Sequence, residues 1–121
     1  MESILKSIKK LLGIPEDETF FDSDIIMHIN SVFTILNQLG VGPAKSFSIK
    51  DDVAVWDDFI DDNTDYNSIK TYIYLKVRLL FDPPISSSVL SSMERQISEL
   101  EWRLNVQAST SSTEEESNET T

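Results

Sequence analysis

The sequence predicts an all-α fold: a small helical bundle of about four main helices plus a short helical turn, with an extended, low-complexity C-terminal tail. Three observations carry this. Apolar residues recur at three- and four-residue spacing in four stretches, glycines and prolines separate most of those stretches, and 121 residues at 40% hydrophobic content allow one modest core. The expected organisation is a helical domain over residues 1–105, made of an N-terminal amphipathic helix (1–13) and a core bundle (14–105). An acidic Ser/Thr/Glu-rich arm (106–121) follows.

In the first helix, Ile4, Leu5, Ile8, Leu11 and Leu12 share one face, and Lys6, Lys9 and Lys10 fall opposite. Gly13 and Pro15 stop it. Residues 23–39 form the second helix, with Asp22 or Ser23 as cap and Ile25, Ile26, Ile29, Val32, Phe33, Leu36 and Leu39 as its stripe. Gly40 ends it, and His28 lies at the edge of the stripe, a boundary residue rather than a catalytic one. Phe47 and Ile49 alternate with polar residues, which suits a short extended piece. Val55, Trp56, Phe59 and Ile60 suit one helical turn wedged into the core by its aromatic rings.

Residues 65–81 form the central helix. Tyr66, Ile69, Ile73, Val77 and Leu80 make one apolar face and Tyr72, Leu75 and Leu79 a second, leaving a narrow polar strip near Thr71 and Arg78. A chain this short is not expected to cover both faces, so a neighbouring subunit is expected on the second. Asp82-Pro83-Pro84 ends the helix. The last helix, 88–105, is capped by Ser86, Ser87 or Ser88 and carries Val89, Leu90, Met93, Ile97, Leu100 and Leu104 inward. Glu99 and Arg103 stand four apart in the favourable order. Trp102 is off the stripe, either an interface anchor or packed on a loop of its own domain. Beyond Ala108 the tail has no apolar residue, so alone it is expected to be disordered.

Twenty-one acidic residues against ten basic ones leave a formal net charge of −11. The balance argues against a nucleic-acid-gripping surface and against an anionic membrane as partner. The charge is uneven: +2 over residues 1–15, −10 over 16–65, +1 over 66–104 and −4 over 105–121. No cysteine is present, so thiol catalysis and cysteine–zinc sites are excluded, and the lone histidine removes any two-histidine metal motif. Asp61, Asn63 and Asp65 have the opening spacing of an EF-hand loop. Tyr66 then stands where glycine is needed and Tyr72 where the bidentate glutamate belongs. No phosphate-binding glycine loop or catalytic signature occurs. No catalytic, metal or cofactor residue is expected. A hydrolase built on two aspartates that meet in space is the weakest reading. No apolar run is long enough to span a bilayer, and the lysine-interleaved start lacks the apolar segment of a secretory signal.

Residue order adds a resemblance. The stretches DIIMHINSVFTILNQLGVGP (24–43), WDDFI (56–60) and KTYIYLKVRLLFDPPISSSVLSSMERQISELEWRLN (70–105) resemble tailed-phage head–tail connector proteins. The resemblance covers roughly residues 16–105. It implies a non-enzymatic adaptor of the virion neck: a helical bundle, in a twelve-fold ring under the portal, extending the channel through which DNA leaves the head. The implied partners are the portal protein, a stopper or tail-completion protein and further copies of the chain. Double-stranded DNA would pass through the lumen without specific binding, and no membrane is involved. The implied location is the head–tail junction, with host cytoplasm during assembly. A C-terminal arm beginning Val106, Gln107, Ala108, Ser109 and Thr110 would grip the portal.

The reading from residues alone agrees in three places. Tyr72, Leu75, Leu79 and Trp102 suit a subunit interface. The tail suits docking on a partner. Asp51, Asp52, Asp57, Asp58, Asp61 and Asp62 suit a channel lining that repels phosphate, within a screening length of about 8–10 Å at physiological salt. Twelve copies of a −11 chain would carry a formal −132. The alternative from a different class is an acidic protein that mimics DNA and inhibits a nucleic-acid-binding enzyme.

Overall fold

The computed structural model describes residues 2–43, 45–60 and 65–119, with side chains described as far as Ser109. Four helices form: α1 (Ile4–Leu12), α2 (Asp22–Gln38), α3 (Tyr66–Phe81) and α4 (Ser87–Glu119), with a 3-10 turn at Trp56–Asp58. Local chemistry sets most of the ends. Ser3 Oγ accepts from the Lys6 N–H at 3.3 Å and caps α1. Asp65 caps α3, its carboxylate accepting from the Ser68 N–H at 3.3 Å and the Ser68 hydroxyl at 2.6 Å. The Val89 N–H points at Ser86 Oγ, 3.5 Å away, at the start of α4. The start of α2 differs from expectation: Phe21 is the cap position, with no side-chain cap, and Asp22 lies inside the first turn.

α3 is the centre of the bundle and packs on α1, α2 and α4. Its Ile69, Tyr72, Ile73, Leu75 and Val77 are buried with Ile4, Leu5 and Ile8 of α1, Ile25, Ile29, Val32, Phe33 and Leu36 of α2, and Met93, Ile97 and Leu104 of α4. Trp56 is fully buried, and its indole N–H donates to Ser7 Oγ at 2.8 Å while Ser7 donates to the Ile4 carbonyl at 3.0 Å. An isolated antiparallel bridge between Ser3 and Val55 joins the start of the chain to the same turn. The indole N–H and the Ser7 hydroxyl brought inside here each have a partner, which is the condition for burying them cheaply.

The segment after α2 is pinned by Asn30, which imitates a strand partner. Its amide donates to the Ile49 carbonyl at 2.9 Å and accepts from the Ile49 N–H at 2.8 Å. Phe33, Phe47 and Phe59 cluster with centroids 4.7–5.3 Å apart. Gly42, at φ +98°, is needed here twice over: the φ is left-handed, and a Cβ would stand 2.4 Å from the Phe59 ring.

Three expectations change. First, the chain does cover most of the second face of α3: Tyr72 is 0% and Leu75 5% exposed, and Leu79 is partly buried. The residue left open is Leu80, from the face expected to be core. α4 accounts for this, since it lays its own stripe along α3. Second, Lys9 is not on a solvent face. It is 2% exposed, donates to the Glu16 carbonyl at 3.1 Å and the Glu18 carbonyl at 2.6 Å, and pairs with Asp22 Oδ1 at 2.8 Å. Two carbonyl acceptors and one ion-pair partner surround the ammonium and clasp residues 13–21 onto α1 and α2. Third, the backbone of residues 106–119 continues α4 as helix. No proline or glycine occurs after Pro84 to stop it.

Candidate functional site

α4 has 33 residues, about 50 Å at 1.5 Å per residue, twice the length of α3. Its inner stripe holds it on the bundle as far as Ala108. Asn105 Nδ2 donates to the Leu39 carbonyl at 3.4 Å. At Gly40, φ +84°, an added Cβ would lie 3.3 Å from the Ala108 Cβ. The end of α2 and the body of α4 thus approach as closely as a glycine–alanine pair permits. The backbone of α4 continues as helix to Glu119.

The expected arm residues divide at that contact. Ala108 is half-buried against the core, whereas Val106, Gln107 and Ser109 are exposed, and the side chain of Thr110 lies outside the described residues. Val106 shares a face with Trp102, one turn earlier. Trp102 is 68% exposed, so it does not pack on a loop of its own domain. Glu99 and Arg103 form the expected ion pair beside it. Of the four expected interface residues, Trp102 is exposed, Leu79 is partly buried, and Tyr72 and Leu75 are buried.

Burial, followed by the nearby charge of Glu101, pushes the Tyr72 hydroxyl well above the usual tyrosine range. No hydrogen bond of ordinary geometry reaches that hydroxyl.

The acidic loop has local work to do. Asp51, Asp52, Asp57 and Asp58 are all exposed. Asp51 accepts from the Val53 N–H at 3.0 Å and Asp58 from the Val55 N–H at 2.9 Å, so both shape the turns around Trp56. Asp52 stands 3.7 Å from Lys6, whose ammonium also pairs with Glu16 at 3.0 Å. These acids raise the Lys6 pKa, Glu16 most strongly. Asp61 and Asp62 lie outside the described residues. Asp65, the third member of the EF-hand-like spacing, is occupied as the cap of α3. Among the described residues no group of three acidic or histidine side chains converges on a point that could hold a metal ion.

A groove of about 750 Å³ runs along α4, lined by Ser87, Ser88, Ser91, Glu94, Arg95 and Ser98. It lies on a single helix, and among the described residues no hydrogen bond joins its serines to Glu94. No helix among the described residues is long and apolar enough to cross a membrane.

One surface went unread in the sequence. Phe20, Phe21, Leu80 and Ile85 are exposed at the end of the bundle where α3 turns into α4. Phe20 and Phe21 sit in a loop outside any periodic stripe, and the doublet itself was the only signal.

The architecture defines a class first: a small all-α protein whose distinctive features are exposed apolar surfaces and a long last helix, suited to contact with other proteins. The match to known families names the class. The family model described as "Phage connector protein" matches residues 4–111, and the chain belongs to that family. Neither a curated relative nor a solved structure matches it.

Proposed function

We propose that this chain is the head–tail adaptor of a phage neck: a ring of identical copies, twelve by the family resemblance, that docks under the portal and receives a stopper or tail-completion protein. A connector role in the virion follows from family membership; the ring, the portal contact and the division of labour between surfaces are this proposal. The observation that carries it is the reach of the family match over residues 4–111, which takes in all of α1, α2 and α3 and most of α4. Structural rather than enzymatic work is what membership of a connector family favours. Family membership also favours the adaptor over the DNA mimic, although both would be acidic.

In this reading Leu79, Trp102 and Val106 contribute to contacts between copies, and α4 beyond Ala108 is the portal-gripping arm. The exposed acids of the 51–58 loop, Asp57 foremost because no local hydrogen bond or ion pair is assigned to it, keep the passing DNA from adhering. That repulsion acts only within about 8–10 Å at physiological salt.

The test is a chain ending after Ser109, which keeps the Ala108–Gly40 contact. Its bundle should melt as the parent does, while the fraction bound to the portal of the same virus, read by native mass spectrometry, falls about tenfold, equivalent to about 1.4 kcal/mol. Unchanged portal binding would remove the arm from the account.

A further inference from the structure

The end of the bundle opposite the α4 extension carries an aromatic face that the adaptor reading leaves unused. Phe20 is 79% exposed, and its ring meets Phe21 edge-on with centroids 4.9 Å apart. Phe21 in turn meets Phe81, in the last turn of α3, at 5.3 Å. Leu80 beside it and Ile85 in the following turn are exposed, Ile85 completely. Three chain segments thus bring large apolar groups to one end. Phe21 marks the start of α2, and Asn105 touches its finish at Leu39. The 17 residues of α2 separate the two places by about 26 Å.

This face is held in place. Residues 13–21 are anchored by the Lys9 clasp, and Glu18 does double service: its carbonyl takes the Lys9 ammonium and its carboxylate accepts from the Phe20 N–H at 2.9 Å. Phe20 is presented to solvent by a loop that is tied down at Glu16 and Glu18. A contiguous exposed apolar patch with a polar rim is the usual mark of a protein-docking surface.

The rim chooses the partner. Asp17, Glu18 and Asp24 flank the phenylalanine pair and Asp82 follows Phe81, all exposed. Against them stand Lys10 in the last turn of α1 and Arg78, which is partly buried and donates to Tyr74 at 3.1 Å. Lys9 is already matched by Asp22. A second copy meeting this face with its own would set acid against acid, and the α4 extension, with four glutamates and no base after Asn105, is equally unsuited.

We propose that this end face, formed by Phe20, Phe21, Leu80, Phe81 and Ile85, docks an amphipathic helical segment of a different protein whose apolar side is flanked by lysine or arginine. The segment's apolar residues cover the aromatic face and its basic flanks meet Asp17, Glu18, Asp24 and Asp82. Because the site lies at the far end of α2 from the Asn105–Leu39 contact, one chain can hold this partner and an arm-bound partner together. The inference rests on the adaptor reading only for the idea of a second partner.

The experiment titrates the isotope-labelled full chain with an amphipathic leucine–lysine peptide of about 18 residues, long enough to form a helix on docking. A leucine–glutamate peptide of the same pattern is the control. The lysine peptide should give saturable amide shifts at Phe20, Phe21, Leu80, Phe81 and Ile85. The glutamate peptide should give none. The double variant Phe20→Ser with Ile85→Ser should bind about tenfold more weakly, with an unchanged melting curve because both side chains lie outside the core.

Shifts confined to the 51–58 loop, equal binding of both peptides, or no loss in the double variant would overturn the proposal. So would self-association of the parent chain that the double variant abolishes, since the face would then belong to a second copy. No portal is present in this assay. Its failure leaves the α4 arm untouched, and failure of portal binding leaves this assay standing.

Discussion

α3 and α4 are joined by a turn of two prolines, pack on each other and are both amphipathic, yet they dispose of their apolar residues in opposite ways. α3 gives Ile69, Tyr72, Ile73, Leu75 and Val77 to the chain's own core, with Leu80 alone left well exposed. α4 buries Met93, Ile97 and Leu104 on one side and leaves Val89, Trp102 and Val106 open on others. The bundle is built around α3; α4 is a lid on α3 from within and a contact surface from without. Apolar surplus is therefore a property of the periphery, and the residues that hold the fold are separate from those free to meet partners. This separation allows each role to be tested without disturbing the other.

The sharpest break is Leu75→Asp. If α3 were open on its second face, an aspartate there would disturb only association. With Leu75 5% exposed, it instead places a carboxylate in the core, at an expected cost above about 4 kcal/mol. A domain of this size holds about 5–15 kcal/mol in total, so the urea midpoint followed by helical circular dichroism should fall by a quarter of its value or more. An unchanged midpoint would show that α4 does not cover α3.

The sequence made the four helices legible because each stripe has helical period and most ends carry a chemical stop or cap. The expected 65–81 became Tyr66–Phe81, and the Trp56 turn stood where its aromatic spacing placed it. It could not show which face of α3 would be covered, because Leu75 and Leu80 are equally apolar and only the path of α4 distinguishes them. Lys9 was illegible for the same reason. Its position on α1 is polar by periodicity, and its burial is created by the carbonyls of Glu16 and Glu18 returning over it. For the candidate site, Trp102 was legible as a residue out of register with its stripe. The Phe20–Phe21 face was not, since loop residues have no periodicity to violate.

The two helices also start differently, by a carboxylate at Asp65 and by a hydroxyl at Ser86. The side-chain hydrogen bond from Ser68, followed by its backbone N–H, holds the Asp65 carboxyl below the usual aspartate range. A lowered folded-state pKa gives stability that is present above the ordinary value. It is lost as the pH falls below about 4 and through the lowered pKa. Asp65→Ala should therefore cost about 1 kcal/mol at pH 7 and less in acid. Ser86→Ala should cost a similar or smaller amount, given its 3.5 Å cap, with no pH dependence in that range. Urea midpoints at pH 7 and pH 3 measure both. Equal losses for Asp65→Ala at the two pH values would mean that the carboxylate does not cap α3.

The smallest effect on stability belongs to Trp102→Gln, and it tests the outer half of the comparison. Glutamine is a good helix former and adds no charge, so the change removes indole surface and nothing else from α4. Because Trp102 is 68% exposed, the urea midpoint should move by no more than about 0.5 kcal/mol. An indole that anchors a contact between copies typically contributes about 2 kcal/mol or more there, so the assembled fraction should fall by well over tenfold. Native mass spectrometry of the chain mixed with its portal reads that fraction directly. A destabilised monomer would place Trp102 in the fold after all. An unchanged monomer with undiminished assembly would make the outer face of α4 a solvent face, and contacts between copies would then have to be sought at Leu79.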